Sequence, residues 1–290
     1  MTDRIRALSQ LVRLPALFTA WSNILAAHLI ATQGIVQWHA LGLLLIATSG
    51  LYLGGMVLND CFDVNVDRRE RPQRPLPSGR IAVRSAWLLG FSLLALGVLA
   101  AGILGTLQLL IALLLAAAIL AYDGWLKSNP AGPVAMGACR YLNWLLGLSV
   151  APLDMAAWVL PVPIFLYILS VTILSRGETG ASSRSPQIWC LYGLVFTACG
   201  LAALFGGGIL SQAWALIPAV LLLGLLIGTL VKNFNTPTPE QTQHSVKVLL
   251  LGVIPLDALL VMGAGLEWEA LAVLALLIPG RLLAGLIYVT

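Results

Sequence analysis

Ten long apolar stretches alternate with short polar ones along the chain, centred near Ala26, Ala47, Leu93, Leu114, Leu142, Tyr167, Phe196, Leu222, Val253 and Leu276. A helix needs about 20 mostly apolar residues to cross a bilayer, and each stretch approaches that length. Backbone in lipid must satisfy its own hydrogen bonds, and these runs are too long and uninterrupted for barrel strands. The pattern predicts an all-α fold: a polytopic transmembrane helical bundle of nine to ten spans, one membrane domain over residues 1–290. Residues 268–290 read as an extra span. Arg4, Arg6 and Arg13 ahead of residues 14–32 imitate a secretory signal, but the many similar spans that follow favour a retained first span.

Composition agrees with the pattern: 59% of residues are hydrophobic and 10% charged, and the mean hydropathy is +0.94. A soluble domain of this size has no core large enough for them. Glycines inside the spans, among them Gly50, Gly54, Gly55, Gly224 and Gly228, are expected to let helix backbones approach closely. Cys61, Cys139, Cys190 and Cys199 lack Cys-x-x-Cys spacing and read as packing residues. His28, His39 and His244 share no metal-ligand spacing. Most tryptophans fall near span ends, as an interfacial belt requires, while Trp125 and Trp144 are candidates for an inner wall.

Charge sets an expected orientation. Of the 16 Lys and Arg residues, all except Arg140 and Arg281 lie in the amino terminus or in segments after the second, fourth, sixth and eighth spans. The positive-inside rule makes those faces cytoplasmic, with both termini inside, in the inner (plasma) membrane. The net charge of +4 and isoelectric point near 9.0 then reflect topology and anionic lipid rather than nucleic acid, because the basic residues border spans without interleaved exposed aromatics.

The candidate chemistry begins where the second span ends. Asn59, Asp63 and Asp67 are spaced four apart, along one stripe of a helix. Asp60 accompanies them, and Arg68, Arg69, Arg71, Arg74 and Arg80 follow, with Pro72, Pro75 and Pro77 stiffening the chain. Polar residues at a span end commonly just meet headgroup water. Here carboxylates suited to a hard divalent cation stand beside guanidiniums suited to phosphate, so residues 59–80 are read as an acidic and Arg-rich cytoplasmic loop binding a metal-diphosphate ligand. Mg²⁺ is the expected ion, held by Asn59, Asp63 and Asp67, with Arg71 and Arg74 on the diphosphate.

Asn-Asp-x-x-Asp-x-x-x-Asp from Asn59 to Asp67, followed by Arg74-Pro75-Leu76-Pro77-Ser78-Gly79, resembles the signature of the UbiA superfamily of intramembrane prenyltransferases. Arg13-Leu14-Pro15 and the pair Tyr122 and Lys127 agree with it, and the likeness covers residues 10–264. Residues 136–143 and 175–178 look like the UbiA-like EboC branch. The resemblance implies a central cavity opening sideways to lipid, Mg²⁺ dependence, and transfer of an isoprenoid chain from a prenyl diphosphate to a lipid-phase or small-molecule acceptor. On it Asp63, Asp67, Lys127 and Arg140 are catalytic candidates. Asn23, Asn59, Arg71, Arg74, Tyr122, Asn143, Arg176 and Glu178 are substrate-binding candidates, and Glu178 joins Asn59, Asp63 and Asp67 at the metal.

Where the family has a second acidic motif, residues 175–187 form a degenerate loop. Only Glu178 is acidic, Ser175 and Arg176 replace carboxylates, and Val171 and Leu174 are apolar. One metal is expected, or Arg176 in place of a second. The same loss permits another function, a lipid-binding or carrier component that keeps the diphosphate pocket and transfers nothing. Ionisable groups within spans are costly: Arg140, Asp257 and Arg281 are such groups, and either arginine is placed to pair with Asp257. They also leave a secondary transporter as a further class, and Pro255 is expected to bend the ninth span.

Overall fold

A computed structural model describes residues 3–178, 184–232, 234 and 238–288 of the protein. Among them the regular elements are all helical: α1 (Asp3–Leu11), α2 (Leu17–Ala31), α3 (Trp38–Glu70), α4 (Val83–Leu104), α5 (Thr106–Ala121), α6 (Gly132–Leu148), α7 (Met155–Val159) and α8 (Val162–Ser175). They continue with α9 (Ser185–Gly206), α10 (Leu216–Lys232), α11 (Pro239–Leu251), α12 (Val253–Gly263), α13 (Glu267–Ala275) and α14 (Leu277–Tyr288). Eight helical stretches among the described residues are long and apolar enough to cross a membrane, so the bundle predicted from the pattern is the one observed. The fifth expected span is α6, with 17 residues; the tenth is the α13 and α14 pair.

Three breaks inside the expected spans have one cause. A proline lacks the N–H that would bond the carbonyl four residues earlier, and its ring clashes there. The last residues of α7, α11 and α13, namely Val159, Leu251 and Ala275, each stand four before Pro163, Pro255 and Pro279.

The helix α3 has 33 residues and so is about 50 Å long, well beyond the about 30 Å hydrocarbon thickness. It therefore runs on through Glu70, and residues 59–70, read above as loop, are helix; the loop proper starts at Arg71. Small residues dock α3 on α4. A Cβ on Gly50 would fall 2.5 Å from the Leu93 carbonyl, and one on Gly97 2.7 Å from the Ala47 carbonyl. The packing expected of Gly224 and Gly228 is not found among the described residues, none of which lies within 4 Å of their Cβ positions. They sit on α10 beside Leu221 and Leu225, which face outward, as does an apolar row on α4 from Leu88 to Ile103.

Candidate functional site

Four segments meet at one end of the bundle. At Arg13 the backbone turns left-handed, with φ 49° and ψ 47°, to end α1 ahead of Pro15. Such a conformation costs a non-glycine residue about 1–3 kcal/mol. It accompanies a guanidinium that reaches Asp60 of α3, Nη2 to Oδ1 at 3.1 Å. The loop after α3 is seated by Leu76, buried with Leu11, Val57, Cys61 and Ala86. From it Arg74 Nη1 bonds Asp67 Oδ2 at 2.7 Å and lies 3.6 Å from Asp60 Oδ1. Asp60 and Asp67 are both buried, so Arg13 and Arg74 are the charges that make their burial tolerable.

A second cluster occupies the same turns of α3, on Asn59 and Asp63. The chain leaves α5 through a π-helical turn, Tyr122–Leu126, a wide turn of the kind found at functional sites. It directs Asp123 and Lys127 to α3. Lys127 Nζ donates to Asn59 Oδ1 at 3.2 Å and pairs with Asp63, while Asn59 Nδ2 donates to Asp123 Oδ1 at 2.7 Å. The side chains of Lys127 and Asp63 remain 32% and 26% exposed, so this cluster, unlike the first, is open to a ligand.

The stripe of Asn59, Asp63 and Asp67 is thus divided. Each step of four residues drifts about 40° around a helix, and Asp67 has turned from Lys127 to Arg74. Arg71 caps α3 and is half-buried, as is Tyr122 at the start of the π turn. Arg176 does not face the carboxylates. Its Nη2 donates to the backbone carbonyls of Lys127 (3.3 Å) and Asn129, tying the turn after α8 to the turn after α5. Leu174 and Val171 are buried. The side chain of Glu178 lies outside the described residues. Among the described residues no three His, Cys, Asp or Glu side chains converge on one point.

Deeper in the bundle, α2, α6 and α12 share a polar core. Asp257 is fully buried. It accepts from Ser22 Oγ (2.5 Å), Trp144 Nε1 (3.0 Å) and Asn23 Nδ2 (3.0 and 2.8 Å). Arg140 donates to Asn23 Oδ1 (3.1 Å) and Thr19 Oγ1 (2.8 Å) and lies over the Tyr52 ring, 5.4 Å from its centroid. Asn143 donates to the Ala20 carbonyl and accepts from Thr48 Oγ1 at 2.8 Å. The expected pairing of Asp257 with an arginine is replaced by this network: Arg281 is exposed on α14, and Arg140 meets Asp257 only through Asn23. Trp144 belongs to the core, whereas Trp125 is 76% exposed and is no inner wall.

Asp123 is the residue that pattern reading did not place in the site. Its signal was present in Tyr122-Asp123-Gly124-Trp125-Leu126-Lys127, where an acid stands beside two site candidates.

This arrangement has relatives. A digeranylgeranylglyceryl phosphate synthase of Metallosphaera sedula is 42% identical over 74 residues, 26% of either chain. One from Sulfolobus acidocaldarius is 28% identical over 219 residues, covering 75% of this chain and 72% of its own. The chain spans between a quarter and just under half of the length of the first four such synthases it matches. A solved structure described as digeranylgeranylglyceryl phosphate synthase in membranes superposes with a TM-score of 0.69 at 21% identity, covering 91% of this chain and 99% of the other. A UbiA homologue from Archaeoglobus fulgidus bound to GPP and Mg²⁺ gives 0.60 at 16% identity, covering 93% and 99%. The UbiA prenyltransferase family model matches residues 20–254, and the chain, a multi-pass integral membrane protein, belongs to that family.

Proposed function

We propose that the protein is a Mg²⁺-dependent prenyltransferase that moves an isoprenoid chain from a prenyl diphosphate to a lipid-phase or small-molecule acceptor. The observation that carries this reading is the partly exposed ammonium of Lys127 held between Asn59 and Asp63, with Arg13 and Arg74 on neighbouring Asp60 and Asp67 of α3. The donor set fits the metal: Asn59 and Asp63 offer oxygens, and Lys127 is itself a cation resting on both. When bound, Mg²⁺ supplies positive charge that stabilises the departing diphosphate.

In this reading Asp63 and Asn59 hold the metal, with Asp67 steadying Arg74. Lys127, Arg71 and Arg74 bind diphosphate oxygens, and Tyr122 borders them. Arg176 holds the Lys127 turn in place. Arg140, Asn143 and Asn23, deeper in the bundle, are assigned to the side of the acceptor. The contacts among Arg13, Asp60, Asp63, Lys127 and Arg176 gather these groups at one end, which the positive-inside rule makes the cytoplasmic face of the plasma membrane, with both termini inside. The EboC-like reading of residues 136–143 and 175–178 belongs to the same proposal.

A second reading, a carrier that binds prenyl diphosphate without transferring it, is favoured by one observation. The end of α8 presents buried Leu174 and a carbonyl-bound Arg176 where a second carboxylate pair is expected. Incubating purified protein with labelled geranyl diphosphate, Mg²⁺ and a pool of lipid and aromatic acceptors separates the two. Release of diphosphate with a prenylated product supports the transferase. Binding without release supports the carrier.

A further inference from the structure

Asn59 links two groups of opposite hydrogen-bonding character. Its Nδ2 donates to the buried Asp123 carboxylate at 2.7 Å, and its Oδ1 accepts from the Lys127 ammonium at 3.2 Å. An ionised carboxylate only accepts and an ammonium only donates, so these neighbours dictate which way the amide faces. Turned over, the amide would set N–H against ammonium and oxygen against carboxylate, and both bonds would be lost.

We infer that Asp123 is a positioning residue for Asn59. By taking the amide N–H, it keeps Asn59 Oδ1 directed to the side where Lys127 and Asp63 stand. The inference rests on the diphosphate reading above, in which that side receives the metal-diphosphate head. It also explains why the chain leaves α5 through a π-helical turn: this turn brings an acid from α5 against the amide of α3. Asp123 acts through Asn59, and its own contact with the ligand is not required.

The test is calorimetric binding of geranyl diphosphate with and without Mg²⁺ to the full chain in detergent, with melting temperatures recorded alongside. Asp123→Asn removes the carboxylate that takes the Asn59 N–H at nearly constant shape, leaving Lys127 as the one charged partner of that amide. It is expected to weaken Mg²⁺-dependent binding by about tenfold, the scale of one charge-assisted hydrogen bond. Asp123→Glu keeps a carboxylate at this position and leaves Asn59 unaltered, so its affinity is expected to stay closer to that of the unaltered protein.

Unchanged affinity in Asp123→Asn, or an Asp123→Glu variant no better than Asp123→Asn, overturns the inference while the diphosphate reading stands. Absence of Mg²⁺-dependent binding in the unaltered protein overturns both. If Asp123→Asn does not fold, Asp123→Glu decides: near-normal affinity supports the inference, and lost affinity in a folded protein overturns it.

Discussion

Asn23 donates its side-chain amide to both oxygens of Asp257, at 3.0 and 2.8 Å, and its own oxygen receives Arg140. An intramembrane carboxylate and an intramembrane guanidinium are thereby joined without touching, through a side chain able to donate at one end and accept at the other. The same device recurs on α3, where Asn59 stands between Asp123 and Lys127.

Asp257→Leu is expected to destabilise the bundle severely. The donors of Asn23 and Trp144 would be left buried and unpaired, each at about 1–3 kcal/mol, while Ser22 Oγ keeps the Thr19 carbonyl. Thermal unfolding in detergent measures this, and a melting temperature equal to that of the unaltered protein would refute it. Asp257→Asn keeps an oxygen for Trp144 and is expected to fall between the two.

Arg74→Lys is expected to fail as a replacement. One guanidinium nitrogen serves Asp67 at 2.7 Å and lies 3.6 Å from Asp60, and a shorter-reaching ammonium lacks the planar fork suited to paired carboxylates. Both variants, Lys and Ala, should lower the melting temperature and make the 71–82 loop more susceptible to limited proteolysis. Equal protection in the Lys variant would show that a point charge suffices.

Lys127→Met is expected to keep the fold and lose the ligand. Lys127 and Asp63 are both partly exposed, and exposed ion pairs contribute only about 0–1 kcal/mol to stability. Melting should be nearly unchanged, while prenyl diphosphate affinity falls by about tenfold or more, as expected for a lost charge-assisted bond. A drop in melting without a drop in affinity would assign Lys127 to structure.

Arg176→Ala is expected to act at a distance. Its guanidinium holds the carbonyls of Lys127 and Asn129, so its loss should weaken diphosphate binding through the Lys127 turn while leaving the metal requirement intact. A changed metal requirement would instead place Arg176 at the ion, as the degenerate motif suggested.

The membrane architecture was legible because apolar runs of span length have no other use, and the breaks at Val159, Leu251 and Ala275 follow from prolines visible in the chain. The first acidic segment was legible as a helical stripe, but not its division: the angular drift that turns Asp67 to Arg74 depends on where the following loop returns. Pairings between distant segments were hidden. Asp257 meets Asn23 across 234 residues and Trp144 across 113, and helical period alone does not reveal which spans are neighbours. Glycine misled for a related reason, since Gly50 and Gly224 look alike in sequence and only packing tells a docked face from a lipid-facing one.

The central claim is that oxygens at the end of α3 hold a cation and, with it, a diphosphate. Titrating geranyl diphosphate into the unaltered protein and into Asp63→Ala, each in Mg²⁺ and after chelation, tests it most directly. The account predicts binding only in the unaltered protein with Mg²⁺. Equal binding by Asp63→Ala, or binding that survives chelation, would contradict it.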